Sequence, residues 1–111
     1  SLMKTLDDYG NDDIGVVYDV ANGHFIGENP TDGLRRMQKR LGLVHFSDTG
    51  RSTYRHDAVG LGDVPFIDVP PVLAEIGYSE LPVLEVISRN ADADTIDSAR
   101  KLAGMGYKAR V

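Results

Sequence analysis

The chain has 111 residues, 41% of them apolar and 26% charged, and a net charge of −5, which describes a globular protein of one domain at most. It contains no cysteine, which excludes a disulfide scaffold and a thiolate metal site, and its acidic balance argues against a nucleic-acid partner. No apolar run is long enough to span a membrane and no leader pattern is found, so we expect no membrane partner and a cytoplasmic location.

The beginning of the chain predicts a helix end, a turn and a strand. Leu6 to Gly10 has the pattern of a helix that ends at a glycine, and Asn11 to Asp13 predicts a turn. The apolar, β-branched run that follows predicts a strand at residues 14–19, covered on both faces. This strand ends at Asp19, which puts a carboxylate at its carboxyl end.

A helix is predicted after this strand. Asn29 is a favourable N-cap, Pro30 suits the first helical position, and Gly42 marks the end of the helix. One helix face is apolar and is expected to pack on the sheet; it comprises Leu34, Met37 and Leu41. The strand and the helix together form one βα unit.

The second predicted unit contains a cluster of residues suited to chemistry. A strand at 43–47 presents His45 and Asp48 at its carboxyl end, and the long loop that follows carries His56. Ligands bind outside the carboxyl ends of the strands in parallel α/β sheets, so these imidazole and carboxylate groups make a candidate metal site. A helix over 66–76 completes the unit.

The third unit consists of a strand at 82–87, interrupted by Glu85, and a last helix capped by Asp92 or Asp94. Four residues of this helix are expected to face inward: Ile96, Ala99, Leu102 and Ala103. A carboxylate inside the run PVLEVI costs several kcal/mol to bury unless it is paired or bound to a cation. Glu85 is therefore predicted to be a buried carboxylate with a partner.

Three βα units in series predict parallel strands joined by right-handed crossovers. Asp19, His45 and Glu85 then fall at or near the carboxyl ends of three successive strands, on one rim. One imidazole and two carboxylates suit a divalent ion such as Mn, Mg, Co or Zn. The structural alternatives are a capped turn at Asp19, a core histidine at His45 and a hydrogen-bonded Glu85.

Four segments of the chain resemble a known family. VVYDVANGHFIGE, LVHFSDT, RHDAVGLGD and LPVLEVI, in this order and spacing, resemble the last three strand-loop units of the xylose isomerase-like TIM barrels. That superfamily includes sugar phosphate isomerases and epimerases and endonuclease IV (AP endonuclease family 2). The resemblance covers about residues 14–106. It implies an α/β fold in which residues 1–111 form a single partial TIM-barrel domain, about three of the eight βα units.

The resemblance also implies residue roles. In the sugar epimerases one divalent ion is held by Glu, Asp, His and Glu from strands five to eight, and the last three fall on Asp19, His45 and Glu85. Glu85 is then also catalytic, moving a proton next to the carbonyl of a keto sugar or sugar phosphate. The first Glu belongs to a strand that would precede Leu2, so we expect little turnover from these 111 residues alone.

Four positions outside that set are compared with the family pattern. Asn22 stands where several members have a histidine, and Tyr54 stands where endonuclease IV has a zinc-binding aspartate. His56 matches the histidine of the same zinc-binding loop, and His56, Arg55 and Asn22 are candidates for substrate binding. A complete trinuclear zinc site is not expected.

Three hypotheses therefore stand. The leading one is that the chain is part of a metal-dependent isomerase or epimerase that acts on a small sugar or sugar phosphate. The others are a zinc phosphodiesterase of the endonuclease IV kind and a non-catalytic open-sheet module that binds a ligand or partner. Three strands cannot close a barrel, so a sheet edge and an apolar face would meet water, and we expect a homo-oligomer.

Overall fold

The computed structural model describes residues 2–10 and 15–107, which form one three-stranded sheet packed against helices. In chain order the elements are α1 (Leu2–Tyr9), β1 (Val16–Asp19), α2 (Val20–Phe25), α3 (Pro30–Met37), β2 (Leu41–Phe46), a 3₁₀ turn (Phe66–Asp68), α4 (Val69–Glu75), β3 (Val83–Leu84) and α5 (Ala91–Gly104). The predicted turn at Asn11 to Asp13, and Ile14 of the predicted first strand, lie outside the described residues. Within the described ranges no helix has the length and apolarity needed to cross a membrane.

The sheet has the strand order β1-β2-β3, and neighbouring strands run parallel. Asp19 of β1 pairs with His45 of β2, and His45 pairs in turn with Val83 of β3. Glu85 follows Val83 by two positions, so it points to the same face of the sheet. The predicted α/β fold of consecutive parallel βα units is confirmed.

The core lies on the face of the sheet that meets the helices. Tyr18, Val44 and Phe46 alternate along their strands with less buried neighbours, and each is at most 4% exposed. Phe46 stands edge-on to Phe66 and Tyr107, with ring centroids 5.7 and 5.0 Å away. Burial raises the pKa of Tyr107, whose hydroxyl donates a hydrogen bond to the Phe66 carbonyl. These rings join β2, the 3₁₀ turn and the segment that follows α5.

The opposite face of the sheet is open. Val17 of β1 is 56% exposed and Val83 of β3 is 41% exposed. The prediction that the first strand is covered on both faces is therefore wrong for this chain, because three strands cannot curl around to cover their own inner face. Asp19 and Glu85 each follow an exposed valine by two positions and share this open face.

The Tyr18 side chain lies so close to two neighbouring helices that each helix needs a glycine at the point of contact. A Cβ atom at Gly23 in α2 or at Gly33 in α3 would overlap the Tyr18 hydroxyl. That hydroxyl donates to Glu28 Oε2 at 3.0 Å, and Arg36 pairs with the same carboxylate. Burial, followed by the Glu28 contact, raises the pKa of Tyr18. The close packing fixes the end of β1 against both helices.

The helix predicted after the first strand is α3, which starts as predicted and ends earlier; the short helix α2 that precedes it was not predicted. Asn29 caps α3, because its side chain accepts a backbone N–H of the first turn at 3.1 Å. Leu41 and Gly42, predicted to close this helix, are instead the first residues of β2. Backbone pairing with β1 draws them into the sheet, and Leu41 packs against the core from the strand.

The predicted helix over 66–76 is divided into two pieces. The 3₁₀ turn covers Phe66–Asp68, and α4 covers Val69–Glu75. Pro70 and Pro71 lie in the first turn of α4, where the N–H groups they lack would have no acceptor within the helix. The prolines thus determine where the α-helix begins.

The third strand is shorter than the prediction at 82–87 and covers only Val83–Leu84. Beyond it, the Glu85 N–H still donates to a carbonyl of β2 at 2.8 Å. The Ile87 N–H donates to the His56 carbonyl, also at 2.8 Å. The segment therefore leaves the strand ladder and follows the loop that carries His56.

The last helix starts before the predicted caps. Asn90, rather than Asp92 or Asp94, is the residue that precedes the first helical residue of α5. Both aspartates lie in the first turn, where negative charge is favourable next to the helix N-terminus. The two aspartates correctly indicated that a helix starts here, but neither of them is its N-cap residue.

The buried face of α5 also differs from the prediction. Ser98 and Leu102 are buried, whereas Ile96 is 53% exposed and Ala103 is exposed. The Ser98 hydroxyl accepts a hydrogen bond from the Val59 N–H at 3.0 Å. This polar contact turns Ser98 inward and leaves Ile96 at the surface.

Candidate metal centre

Asp19 is the last residue of β1 and the N-cap of α2. Its backbone is extended, with φ −100° and ψ 112°, and its Oδ1 accepts from the Asn22 N–H at 3.0 Å. The Oδ2 atom accepts from the Tyr54 hydroxyl at 3.4 Å. Capping therefore fixes one carboxylate oxygen and turns the other toward the loop after β2.

His45 and Glu85 form a pair across neighbouring strands. His45 Nδ1 lies 3.1 Å from Glu85 Oε2, and the two side chains are 28% and 46% exposed. The prediction that Glu85 is buried is therefore wrong, because it lies on the open face of the sheet. Its contact with His45, and not burial, holds the carboxylate.

His56 reaches the same place from the loop after β2. Ser47 Oγ lies 3.1 Å from His56 Nδ1 and orients the ring. Asp19, His56 and Glu85 each offer one ligand atom, and these atoms all lie within 4.8 Å of one another. In the described parts of the chain no second group of three such side chains is found.

The structure thus brings Asp19, His45 and Glu85, the candidate ligands predicted from the sequence, to one rim together with His56, which the sequence had placed in the same candidate site. Asp19 and Glu85 lie together as expected, and the ring grouped with both of them is that of His56. His45 is beside Asp19 in the strand register and contacts Glu85 directly. The rim therefore carries two carboxylates and two imidazoles.

Asp48, which the sequence grouped with these residues, has a structural role instead. It is 1% exposed, and its carboxylate accepts three backbone N–H groups at 2.9, 2.8 and 3.0 Å. The donors are Thr49, Gly60 and Val64. Its backbone also pairs with that of Asp57 in both directions. Asp48 therefore folds the loop back on itself and sets the position of the neighbouring His56.

An aromatic cluster borders the rim. Tyr54 packs on Phe25 with ring centroids 5.4 Å apart, and it stands edge-on to His56 at 5.0 Å. Partial burial and the nearby Asp19 carboxylate raise the pKa of Tyr54 to about 12. The hydroxyl is therefore protonated at neutral pH and donates to Asp19. No sequence pattern indicated this cluster, because Phe25 and Tyr54 belong to different units.

Asn22 and Arg55, two candidates for substrate binding, lie on the elements that carry the rim. Asn22 is exposed in the first turn of α2, directly after Asp19. Arg55 is exposed next to His56, and its backbone N–H donates to Thr49 Oγ1 at 2.9 Å. The backbone of each is thus fixed while its side chain is accessible.

His24 is a further polar residue, and its role was not predicted from the sequence. Its side chain is 5% exposed, and Nε2 lies 2.6 Å from Asp63 Oδ1. The contact ties α2 to the end of the loop after β2. The two residues are 39 positions apart, so no local pattern connects them.

These features define the class of protein. Consecutive parallel βα units with carboxylates and imidazoles at the carboxyl ends of the strands are the arrangement of a βα-barrel segment. The chain belongs to the xylose isomerase-like TIM barrel family, whose sequence model matches residues 1–105. The resemblance found in the sequence is confirmed.

The chain is similar to known proteins of this kind. An uncharacterized protein of Methanocaldococcus jannaschii, MJ1311, is 27% identical over 88 residues, which make up 77% of this chain and 30% of that protein. A crystal structure of a D-tagatose 3-epimerase-like protein has a TM-score of 0.83 and 24% sequence identity, and the match covers 95% of this chain and 39% of that one. At this identity the likeness shows the fold. The chain spans well under half of either protein.

Proposed function

We propose that this chain supplies part of the active site of a metal-dependent sugar or sugar phosphate isomerase or epimerase. The observation that carries the proposal is the grouping of Asp19, His56 and Glu85, whose ligand atoms lie within 4.8 Å of one another. Family membership supports the reaction class, and the likeness to a D-tagatose 3-epimerase-like protein agrees with it.

The donor set fits one divalent ion. Ligand bonds to such ions are roughly 2.0 to 2.6 Å long, so donors up to about 5 Å apart can bind the same ion from opposite sides. Carboxylate oxygens and an imidazole nitrogen suit Mn, Mg, Co or Zn. We propose Asp19 and Glu85 as ligands, with one of the two rim imidazoles as the third. The family resemblance implies His45, and the close grouping of ligand atoms includes His56.

The residues of the chain then have separate tasks. A bound ion would supply Lewis-acid polarisation of the substrate carbonyl. Glu85 moves a proton at the carbon next to that carbonyl, and the His45 contact at 3.1 Å orients its carboxylate. Arg55 and Asn22 are proposed to bind substrate hydroxyl or phosphate groups, and His56 joins them if His45 is the imidazole that holds the ion.

The other two hypotheses have less support. A zinc phosphodiesterase of the endonuclease IV kind would need a zinc-binding aspartate in the loop that carries His56. Tyr54 donates its hydroxyl to Asp19 at the position where that family has an aspartate. A non-catalytic module would not need carboxylate and imidazole side chains so close together.

The metal site is tested by titrating Mn²⁺ into the 111-residue chain by calorimetry. We expect Asp19→Asn and Glu85→Gln each to weaken Mn²⁺ binding about tenfold or more, since each removes a charged ligand. Asparagine is as good an N-cap as aspartate, so Asp19→Asn retains the start of α2 and isolates the metal role. Comparison of His45→Gln with His56→Gln identifies the imidazole that binds the ion.

Glu80→Gln is the matched control for Glu85→Gln, because Glu80 is an exposed glutamate outside the rim. It should bind Mn²⁺ as the unaltered chain does. Equal affinity of Glu85→Gln, Asp19→Asn and the control would remove the basis of the proposed function.

We also expect the chain to associate in solution. Val17 and Val83 are 56% and 41% exposed on the open face, and β1 and β3 are edge strands of the described sheet. Pairing with a second copy would bury the face and an edge together. Sedimentation at micromolar concentration should show a dimer or larger species.

Val17→Lys should shift that equilibrium toward the monomer, because it puts a charge on the open face. Ile96→Lys is the control, since Ile96 is 53% exposed and belongs to α5 and not to a strand. A stable monomer of the unaltered chain would contradict the expected association.

A further inference from the structure

The rings of Phe25 and Tyr54 form an aromatic wall at the edge of the metal centre. Their centroids are 5.4 Å apart with an interplanar angle of 47°. Tyr54 is 38% exposed although it contacts both Phe25 and His56. A large ring is therefore presented to solvent beside the residues proposed to bind the ion.

The wall is held in a defined orientation relative to the rim. The Tyr54 hydroxyl donates to Asp19 Oδ2 at 3.4 Å, and its ring is edge-on to His56 at 5.0 Å. Both contacts are with residues of the three-ligand group. A substrate that binds there by its oxygen atoms would thus extend along the Tyr54 ring.

Sugars are suited to such a surface because they carry both kinds of group. Adjacent oxygen atoms can face the carboxylate and imidazole side, while the C–H groups of the carbon chain form an apolar patch. Apolar patches pack well on aromatic faces, and small-molecule sites commonly combine aromatic walls with a few polar groups.

We infer that Phe25 and Tyr54 form a stacking subsite for the carbon skeleton of a sugar whose oxygen atoms face Asp19, His56 and Glu85. The orientation of the sugar follows from the proposed function, so this inference rests on that function. Residues 51–55 are all exposed, so the segment that bears Tyr54 lies at the surface of the protein.

The test is the binding of D-fructose to the 111-residue chain at saturating Mg²⁺, followed by NMR titration. Tyr54→Phe retains the ring and loses the hydroxyl, whereas Tyr54→Leu loses both. Because both variants lack the hydroxyl bond to Asp19, their difference reports on the ring alone. We expect Tyr54→Leu to bind D-fructose about five to ten times more weakly than Tyr54→Phe, with equal Mg²⁺ affinity in the two.

Phe25→Leu is a second variant in case Tyr54→Leu does not fold, and it should also weaken D-fructose binding. Equal D-fructose affinity of Tyr54→Leu and Tyr54→Phe would overturn the subsite, as would a metal-loaded chain that binds no D-fructose. Absence of Mg²⁺ binding together with ring-dependent D-fructose binding would contradict the proposed function and leave the subsite standing.

Discussion

Replacement of Asp48 by asparagine is expected to destabilise the chain by about 2 to 4 kcal/mol. The buried carboxylate accepts N–H groups from three parts of the loop after β2, and both of its oxygens are used. An asparagine side chain has one acceptor oxygen, and its NH₂ group would face a backbone N–H donor in place of the other. Charge-assisted hydrogen bonds are also stronger than neutral ones.

Urea unfolding followed by circular dichroism measures this loss. Asp92→Asn, at an exposed position in the first turn of α5, is the control and should leave the midpoint almost unchanged. In native conditions Asp48→Asn should also weaken Mn²⁺ binding, because the loop that it folds carries His56. Retained stability together with retained Mn²⁺ affinity would show that the loop is held in some other way.

Gly62→Ala is expected to cost about 3 kcal/mol by overpacking the same loop. A Cβ atom at Gly62 would overlap the backbone carbonyl of Thr49 and the carboxylate of Asp48. The Thr49 carbonyl is itself fixed, since it accepts the Asp63 N–H at 3.0 Å. Backbone atoms cannot rotate away as the end of a side chain can, so the loop itself must shift.

Gly50→Ala is the matched control, because a Cβ atom there would have no neighbour within 4 Å. Both changes add one methyl group to the same loop, and both reduce the conformational entropy of the unfolded chain by the same amount. The difference between the two unfolding free energies therefore measures the close approach at Gly62. Similar values for the two variants would contradict the tight packing described for this loop.

Features that depend on near neighbours in the chain were predictable from the sequence. Asn29 and Pro30 start α3 because capping and a proline at the first position act within one turn. Asp19 ends β1, since an apolar β-branched run followed by a polar residue is a local pattern. Repetition of such patterns in three units was sufficient to predict parallel strands and a common rim.

Features that depend on distant contacts were predicted wrongly or missed. Leu41 continues the apolar helical spacing of Leu34 and Met37, yet its pairing with Val16 of β1 makes it a strand residue. Glu85 has apolar neighbours that suggested burial, and its exposure follows from the open face of the sheet. Ser98 is turned inward by a hydrogen bond from a residue 39 positions away.

The sequence by itself determined the βα units, their order and the residue types at the strand ends, because periodicity, caps and turns are local properties of the chain. Only the tertiary structure decided that His56, which the sequence had grouped with His45 and Asp48, is the imidazole grouped with both Asp19 and Glu85, and that Tyr54 and Phe25 stand beside them. The position of His56 depends on the loop folding around Asp48, whose carboxylate accepts the N–H of Val64 from 16 positions along the chain. Such a contact forms only when the whole loop is in place, so local pattern could not anticipate it.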